Sequence, residues 1–200
     1  MIKRTIYLTL LAIPLFLMAK LPEKSSAGAP AAHTGAPGEG NCGTIGCHDD
    51  NSTNSGNAIL NVDMNAINNY IPGKIYPINI RITEPSVERF GFQLVALVNS
   101  DTSNAGNFLL TDVVRTQLVK SQYQFQNREY VTYTYDGTDA VNTGLGEWTV
   151  NWKAPVTNQG AITFYASAVS ANDDESDKGD HVYTKSLILQ PNYKGIELQK

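Results

Sequence analysis

Phe90-Gly91-Phe92-Gln93-Leu94-Val95-Ala96-Leu97-Val98 decides the fold. Phe90, Phe92, Leu94, Ala96 and Val98 recur at every second residue, the side-chain period of a β-strand, while Val95 and Leu97 make the opposite face apolar as well. A strand apolar on both faces is a central strand with cover on both sides. Its neighbours are simpler. On the N-terminal side Tyr76, Ile78, Ile80 and Ile82 oppose Asn79, Arg81 and Thr83, and Leu60, Val62 and Met64 oppose Asn61, Asp63 and Asn65; Pro72-Gly73 supplies the turn between these half-buried strands.

On the C-terminal side residues 99–106 form a turn-rich loop, Phe108 to Thr111 reads as a short strand, and residues 112–127 carry no decisive period. Tyr130 to Tyr135 alternates tyrosine with threonine, residues suited to a pleated surface, and offers tyrosines 130, 133 and 135 either as cross-strand packing or as a binding face. Trp148, Val150 and Trp152 share a face that anchors the core, and Ala154-Pro155 ends the strand because proline cannot donate to a ladder. Ile162, Phe164, Ala166 and Ala168 form another apolar face. The acidic loop 172–180 then leads to a last strand, 182–189. Seven or eight short strands and no amphipathic helix predict an all-β, antiparallel sandwich over residues 58–190.

Residues 1–27 carry the three parts of a secretory signal: basic Lys3 and Arg4, the apolar run Ile6 to Ala19, and small residues Ser25, Ser26 and Ala27 before a cut. The run falls short of the roughly 20 residues a membrane span needs, so no span is expected after processing. The leader holds four bases (Lys3, Arg4, Lys20, Lys24) and one acid (Glu23), so its removal moves the formal charge from −4 to −7. An acidic exported domain is a poor partner for nucleic acid or an anionic membrane surface.

Residues 28–57 are rich in Gly, Ala, Pro, Ser, Thr and Asn, without helical or strand period, and precede the sandwich as an irregular segment. That segment holds Asn41-Cys42-Gly43-Thr44-Ile45-Gly46-Cys47-His48, with both cysteines of the chain. C-x4-C-H is two residues longer than the C-x2-C-H of c-type haem attachment, in which two thiols bond the porphyrin and the imidazole ligates iron. Three chemistries stand open: covalent haem c on Cys42 and Cys47 with His48 as iron ligand, a Cys42–Cys47 disulfide closing a loop, or a metal site. With haem, His33 in the same segment is the candidate sixth ligand. Met64 belongs to an apolar strand face, and His181 to a strand edge.

Asp173, Asp174, Asp177 and Asp180 supply oxygens for calcium, which takes about 6–8 of them, but their spacing is not that of an EF-hand and a solvated acidic turn is the stronger reading. No G-x-S-x-G elbow, phosphate loop or H-E-x-x-H occurs, and Asp180-His181 beside Ser167 or Ser170 makes a triad only if geometry is assumed. The chain reads as a non-enzyme with either a redox partner or a surface or matrix partner.

Several stretches together resemble the bacterial Reeler-like proteins called the choice-of-anchor V family. They are the run from His33 to Cys42 that leads into Cys47-His48, Tyr70 to Tyr76, Arg89 to Leu94, Trp152 to Pro155, Ile162 to Ala166 and Gly179 to Tyr183. The likeness spans residues 33–189. It implies an immunoglobulin-like or Reeler-like sandwich, preceded by a Cys-x(2 or 4)-Cys-His segment, in a secreted, periplasmic or cell-surface bacterial setting. Unlike larger members, this chain is expected to lack a C-terminal sorting module, because the tail 191–200 is too short for one.

Overall fold

The computed structural model describes residues 27–192. The leader, apart from Ala27, and tail residues 193–200 lie outside the described residues. Ten strands follow in order: β1 (Ile59–Asp63), β2 (Asn69–Tyr70), β3 (Ile75–Thr83), β4 (Arg89–Val98), β5 (Asn107–Leu110), β6 (Thr116–Lys120), β7 (Glu129–Tyr133), β8 (Leu145–Lys153), β9 (Ile162–Ala171) and β10 (His181–Pro191). A single 3-10 turn, Asp136–Thr138, is the only helical element among the described residues.

The strands form two sheets, β1-β3-β8-β5 and β2-β10-β9-β4-β7-β6. Every pairing is antiparallel except the parallel contact of β2 with β10, Asn69 with Gln190 and Tyr70 with Pro191. The period-2 faces read from the sequence meet in one core: Ile78, Ile80 and Ile82 of β3 and Trp148, Val150 and Trp152 of β8 pack on Phe92, Leu94 and Ala96 of β4 and Phe164, Ala166 and Ala168 of β9. Trp152 sits among Tyr70, Tyr76 and Phe164 at centroid distances of 5.9, 6.1 and 4.9 Å. Its indole N–H donates to Ala105 O at 2.8 Å, which satisfies the one polar atom such a buried ring carries.

The sequence reading expects seven or eight strands; the structure adds β2 and β6. Two residues cannot display a period, and β6 is an edge strand with one buried residue, Thr116, so its pattern gives no apolar face to read. The three tyrosines do not make one surface: Tyr130 is buried while Tyr135 is exposed.

The second cover on β4 is the irregular segment itself. Residues 28–57 lie as a strap across the outer face of the six-stranded sheet, where Ala36 packs with Val95, Leu97 and Tyr130, and Cys42 with Val169 and Val182. Polar groups on that face receive the strap's backbone. Gln93 accepts the His33 N–H at 2.7 Å and donates to Pro30 O at 2.8 Å, and Ser167 accepts the Cys42 N–H at 3.2 Å. The strap also covers the free edge of β10: the Asn54 N–H donates to Val182 O and Asn54 Oδ1 accepts the Thr184 N–H, at 2.8 and 2.9 Å. Asn54 has φ of 64°, a left-handed conformation that asparagine tolerates better than most residues.

Candidate functional site

The strap is fastened by a buried ion pair. The Glu39 side chain is completely buried and that of Arg128, at the entrance to β7, is 3% exposed; their Oε1 and Nη1 atoms lie 2.5 Å apart. The same Oε1 accepts the Tyr130 hydroxyl at 2.7 Å, and Oε2 accepts the Thr34 hydroxyl at 2.6 Å. Arg128 stacks on the Phe125 ring at 4.1 Å and donates to Pro37 O. Burial, then the Glu39 carboxylate, hold the Tyr130 hydroxyl protonated far above its usual range. With both charges paired and most of their hydrogen-bonding groups engaged, this is the arrangement in which a buried ion pair is tolerated.

Downstream of this anchor the C-x4-C-H loop is tightly hydrogen-bonded. The Thr44 N–H donates to Asn41 O at 3.0 Å, the Cys47 N–H to Thr44 O at 2.8 Å and the His48 N–H to Cys42 O at 3.1 Å. Gly46, at φ of 86°, makes the reversal that L side chains rarely adopt, and Ile45 projects from the tip at 92% exposure. Both cysteines are free thiols, Cys42 buried and Cys47 half-buried. Burial pushes the Cys42 thiol up to about 11, partly offset by the Ser167 hydroxyl. Cys47 is raised by burial, then by the charges of Asp49 and Asp177. Neither is an activated thiolate nucleophile at neutral pH.

His48 is the most specifically held side chain of the motif. Its Nδ1 lies 2.6 Å from Asp180 Oδ2, the imidazole 30% exposed and the carboxylate 1%. Asp180 is held in turn, since its Oδ1 accepts the Asn172 N–H and its backbone O accepts Asn51 Nδ2, each at 2.9 Å. An ionised carboxylate only accepts, so a neutral His48 facing it carries its proton on Nδ1 and its lone pair on Nε2. Lys178 clamps the same two segments together, its Nζ lying 2.7, 2.9 and 3.3 Å from Asp49, Asp50 and Asp177.

The four acidic-loop residues proposed for calcium do not converge. Asp173 faces Arg89 Nε at 3.4 Å, Asp174 accepts the N–H and hydroxyl of Ser176, Asp177 pairs with Lys178, and Asp180 holds His48. Among the described residues no group of three or more His, Cys, Asp or Glu side chains is arranged to hold a metal ion. His33 is only partly brought to the motif: its carbonyl O lies 3.9 Å from Cys42 Sγ, while its ring turns back, Nδ1 at 3.0 Å from Pro30 O. Met64 is core. Asp180 does not serve His181 in a triad, because His48 and the Asn172 N–H occupy its carboxylate. Ser167 accepts from Cys42, and Ser170 Oγ and His181 Nδ1 are buried without hydrogen-bond partners.

The sequence reading missed Asp180 as the partner of His48, and Glu39 with Arg128 as the strap's anchor. The first pair lies 132 residues apart and the second 89, and no periodic pattern links residues at such separations.

No family model matches the chain, and no curated protein matches it. Among solved structures, the human F-spondin reeler domain is 24% identical with a TM-score of 0.46, over 70% of this chain and 93% of that one. A cohesin module from a Clostridium perfringens family 33 glycoside hydrolase is 11% identical with a TM-score of 0.44, over 68% and 96%. The sandwich architecture stands on the strand pairing and shared core described above. No helix among the described residues is long and apolar enough to cross a membrane.

Proposed function

We propose that this chain is an exported, non-catalytic β-sandwich that carries one haem c, bonded through Cys42 and Cys47 with His48 as axial ligand, and serves electron transfer or redox sensing. One observation carries the reading. The imidazole that directly follows Cys47 has its Nδ1 tied to a buried carboxylate, which leaves Nε2 as the available donor, the second-shell arrangement common to metal-ligating histidines. Both thiols are unpaired, and His48 and the loop tip are partly exposed, whereas Cys42 is buried against Val169 and Val182, so of the two thiols only Cys47 is presented towards solvent. Bound there, haem supplies a one-electron iron couple whose potential follows its axial ligands and surroundings.

The chain's own residues do the rest. His48 offers Nε2, Asp180 orients it, and Lys178 holds the flanking segments together. Cys42 would hold the group from a buried position against Val169 and Val182, so the strap would have to lift from β9 and β10 for its thiol to be reached. An extracytoplasmic setting follows from the leader read in residues 1–27, and the raised pKa of both thiols speaks against nucleophilic catalysis.

A second reading is a haem-free surface or matrix interaction module in which Cys42 and Cys47 form a disulfide. It is favoured by the His48 N–H donating to Cys42 O at 3.1 Å, which closes the loop and draws its two ends together. Cys42→Ala combined with Cys47→Ala separates the two readings. The haem reading predicts that the variant folds but loses all covalent haem, and haem absorbance that survives acid–acetone extraction of the variant would refute it.

A further inference from the structure

We infer that the sandwich has an internal water-binding site where the strap passes Gly56, with Ser170 Oγ of β9 and His181 Nδ1 of β10 bridged by one water molecule. The inference is independent of the haem reading. Ser170 and His181 are register partners in the β9–β10 ladder. Alternation puts both on the face that carries Ala168 and Tyr183 into the core, opposite the face on which Val169 and Val182 meet the strap. Directly paired residues hold their Cβ atoms about 4.5–5.5 Å apart, so a serine and a histidine so placed can share one small partner. They do not bond each other: Ser170 Oγ and His181 Nδ1 are buried with no hydrogen-bond partner among the described residues, and Glu84 Oε2 is a third such atom. Buried polar atoms of this kind are ordinarily met by ordered water, which makes about 2–4 hydrogen bonds.

The surroundings are polar and built from small residues. Gly56 passes so close that a Cβ there would stand 2.0 Å from the Tyr183 hydroxyl and 2.9 Å from His181 Nδ1. Those two atoms therefore lie within about 5 Å of each other, the span of two hydrogen bonds meeting at one oxygen. The Tyr183 hydroxyl, which accepts the Ala58 N–H at 3.0 Å, is thus a third group at hand. Burial first, and further on the Glu84 carboxylate, raise that hydroxyl above its usual range against the Ala58 bond, so Glu84 bears on the same place. Water both donates and accepts, which suits a serine hydroxyl and either state of a ring nitrogen. A metal ion does not fit, because among the described residues no three His, Cys, Asp or Glu side chains converge.

A high-resolution crystal structure of the exported chain tests this, with Ser170→Ala beside it. The expected result is a solvent peak about 2.7–3.2 Å from both Ser170 Oγ and His181 Nδ1. In Ser170→Ala the peak should vanish or stay on His181 alone at reduced occupancy, with the β9–β10 register unchanged. Solution NMR gives a reading free of the crystal: the carbon-bound ring protons of His181 should show cross-relaxation with a long-lived water in the wild type, and Ser170→Ala should weaken it several-fold. Absence of the peak in the wild type, a direct bond between Ser170 and His181, or a peak and cross-relaxation undiminished in Ser170→Ala overturns the inference. So does a peak about 2.0–2.1 Å from His181 Nδ1, the distance of a bound metal ion.

Discussion

Glu39 and Arg128 show what one residue can control in this chain. Taking Glu39 to Gln leaves the guanidinium buried without its counter-charge, a change that costs about 3–5 kcal/mol in comparable buried pairs. Urea unfolding should show a lowered midpoint, with proteolytic cleavage moving into residues 28–57 as the strap loosens; an unchanged midpoint would mean that the pair does not anchor it. Cys42 governs alkaline behaviour in chains made without haem and kept reduced. The folded thiol stays protonated up to about 11, whereas the unfolded one ionises from about 9. Between those values the folded state binds more protons, so stability falls as pH rises, by about 2–3 kcal/mol in all. Below pH 9 both states hold the proton and the effect is absent. Cys42→Ser should flatten the part of the alkaline loss that belongs to this thiol, and a difference curve between the two chains that is level from pH 9 to 11 would contradict the burial argument. At this scale the sequence showed the two thiols and His48 through their spacing. It also drew notice to Asp180, but as a calcium ligand, because a run of carboxylates says nothing of which imidazole will fold against one of them.

At the scale of elements, the strand 90–98 was legible as doubly covered because Val95 and Leu97 break the alternation. What covers it was not legible, since a segment of small and polar residues has no period that points to a sheet face. The strap packs by its alanines and by bonds from its backbone to Gln93, Ser167 and Val182, and such contacts depend on tertiary register alone. Its passage towards β1 is equally tight. A Cβ on Gly56 would stand 2.0 Å from the Tyr183 hydroxyl and 2.8 Å from His181 Cγ, and that hydroxyl accepts the Ala58 N–H at 3.0 Å. Gly56→Ala should therefore destabilise the chain by about 1–3 kcal/mol, the usual cost of overpacking. Thermal unfolding checks this, and a variant as stable as the parent would show that the crossing has slack.

At the scale of the whole molecule, two sheets share one core around Trp152, and the strap joins that body through its buried ion pair and the His48–Asp180 contact. The C-x4-C-H loop is therefore a rigidly mounted feature of the sandwich rather than a loose leader. Rigidity matters to the haem reading, because a ligand held by packing needs no reordering when the iron changes charge, and small reorganisation favours electron transfer. The most direct measurement is the intact mass of the exported protein from a host able to attach haem c, taken with its reduced-minus-oxidised absorbance spectrum. The account predicts one porphyrin added to the processed chain and sharp reduced-state bands; a colourless product two hydrogens lighter than the reduced chain would contradict it and make Cys42 and Cys47 a structural disulfide.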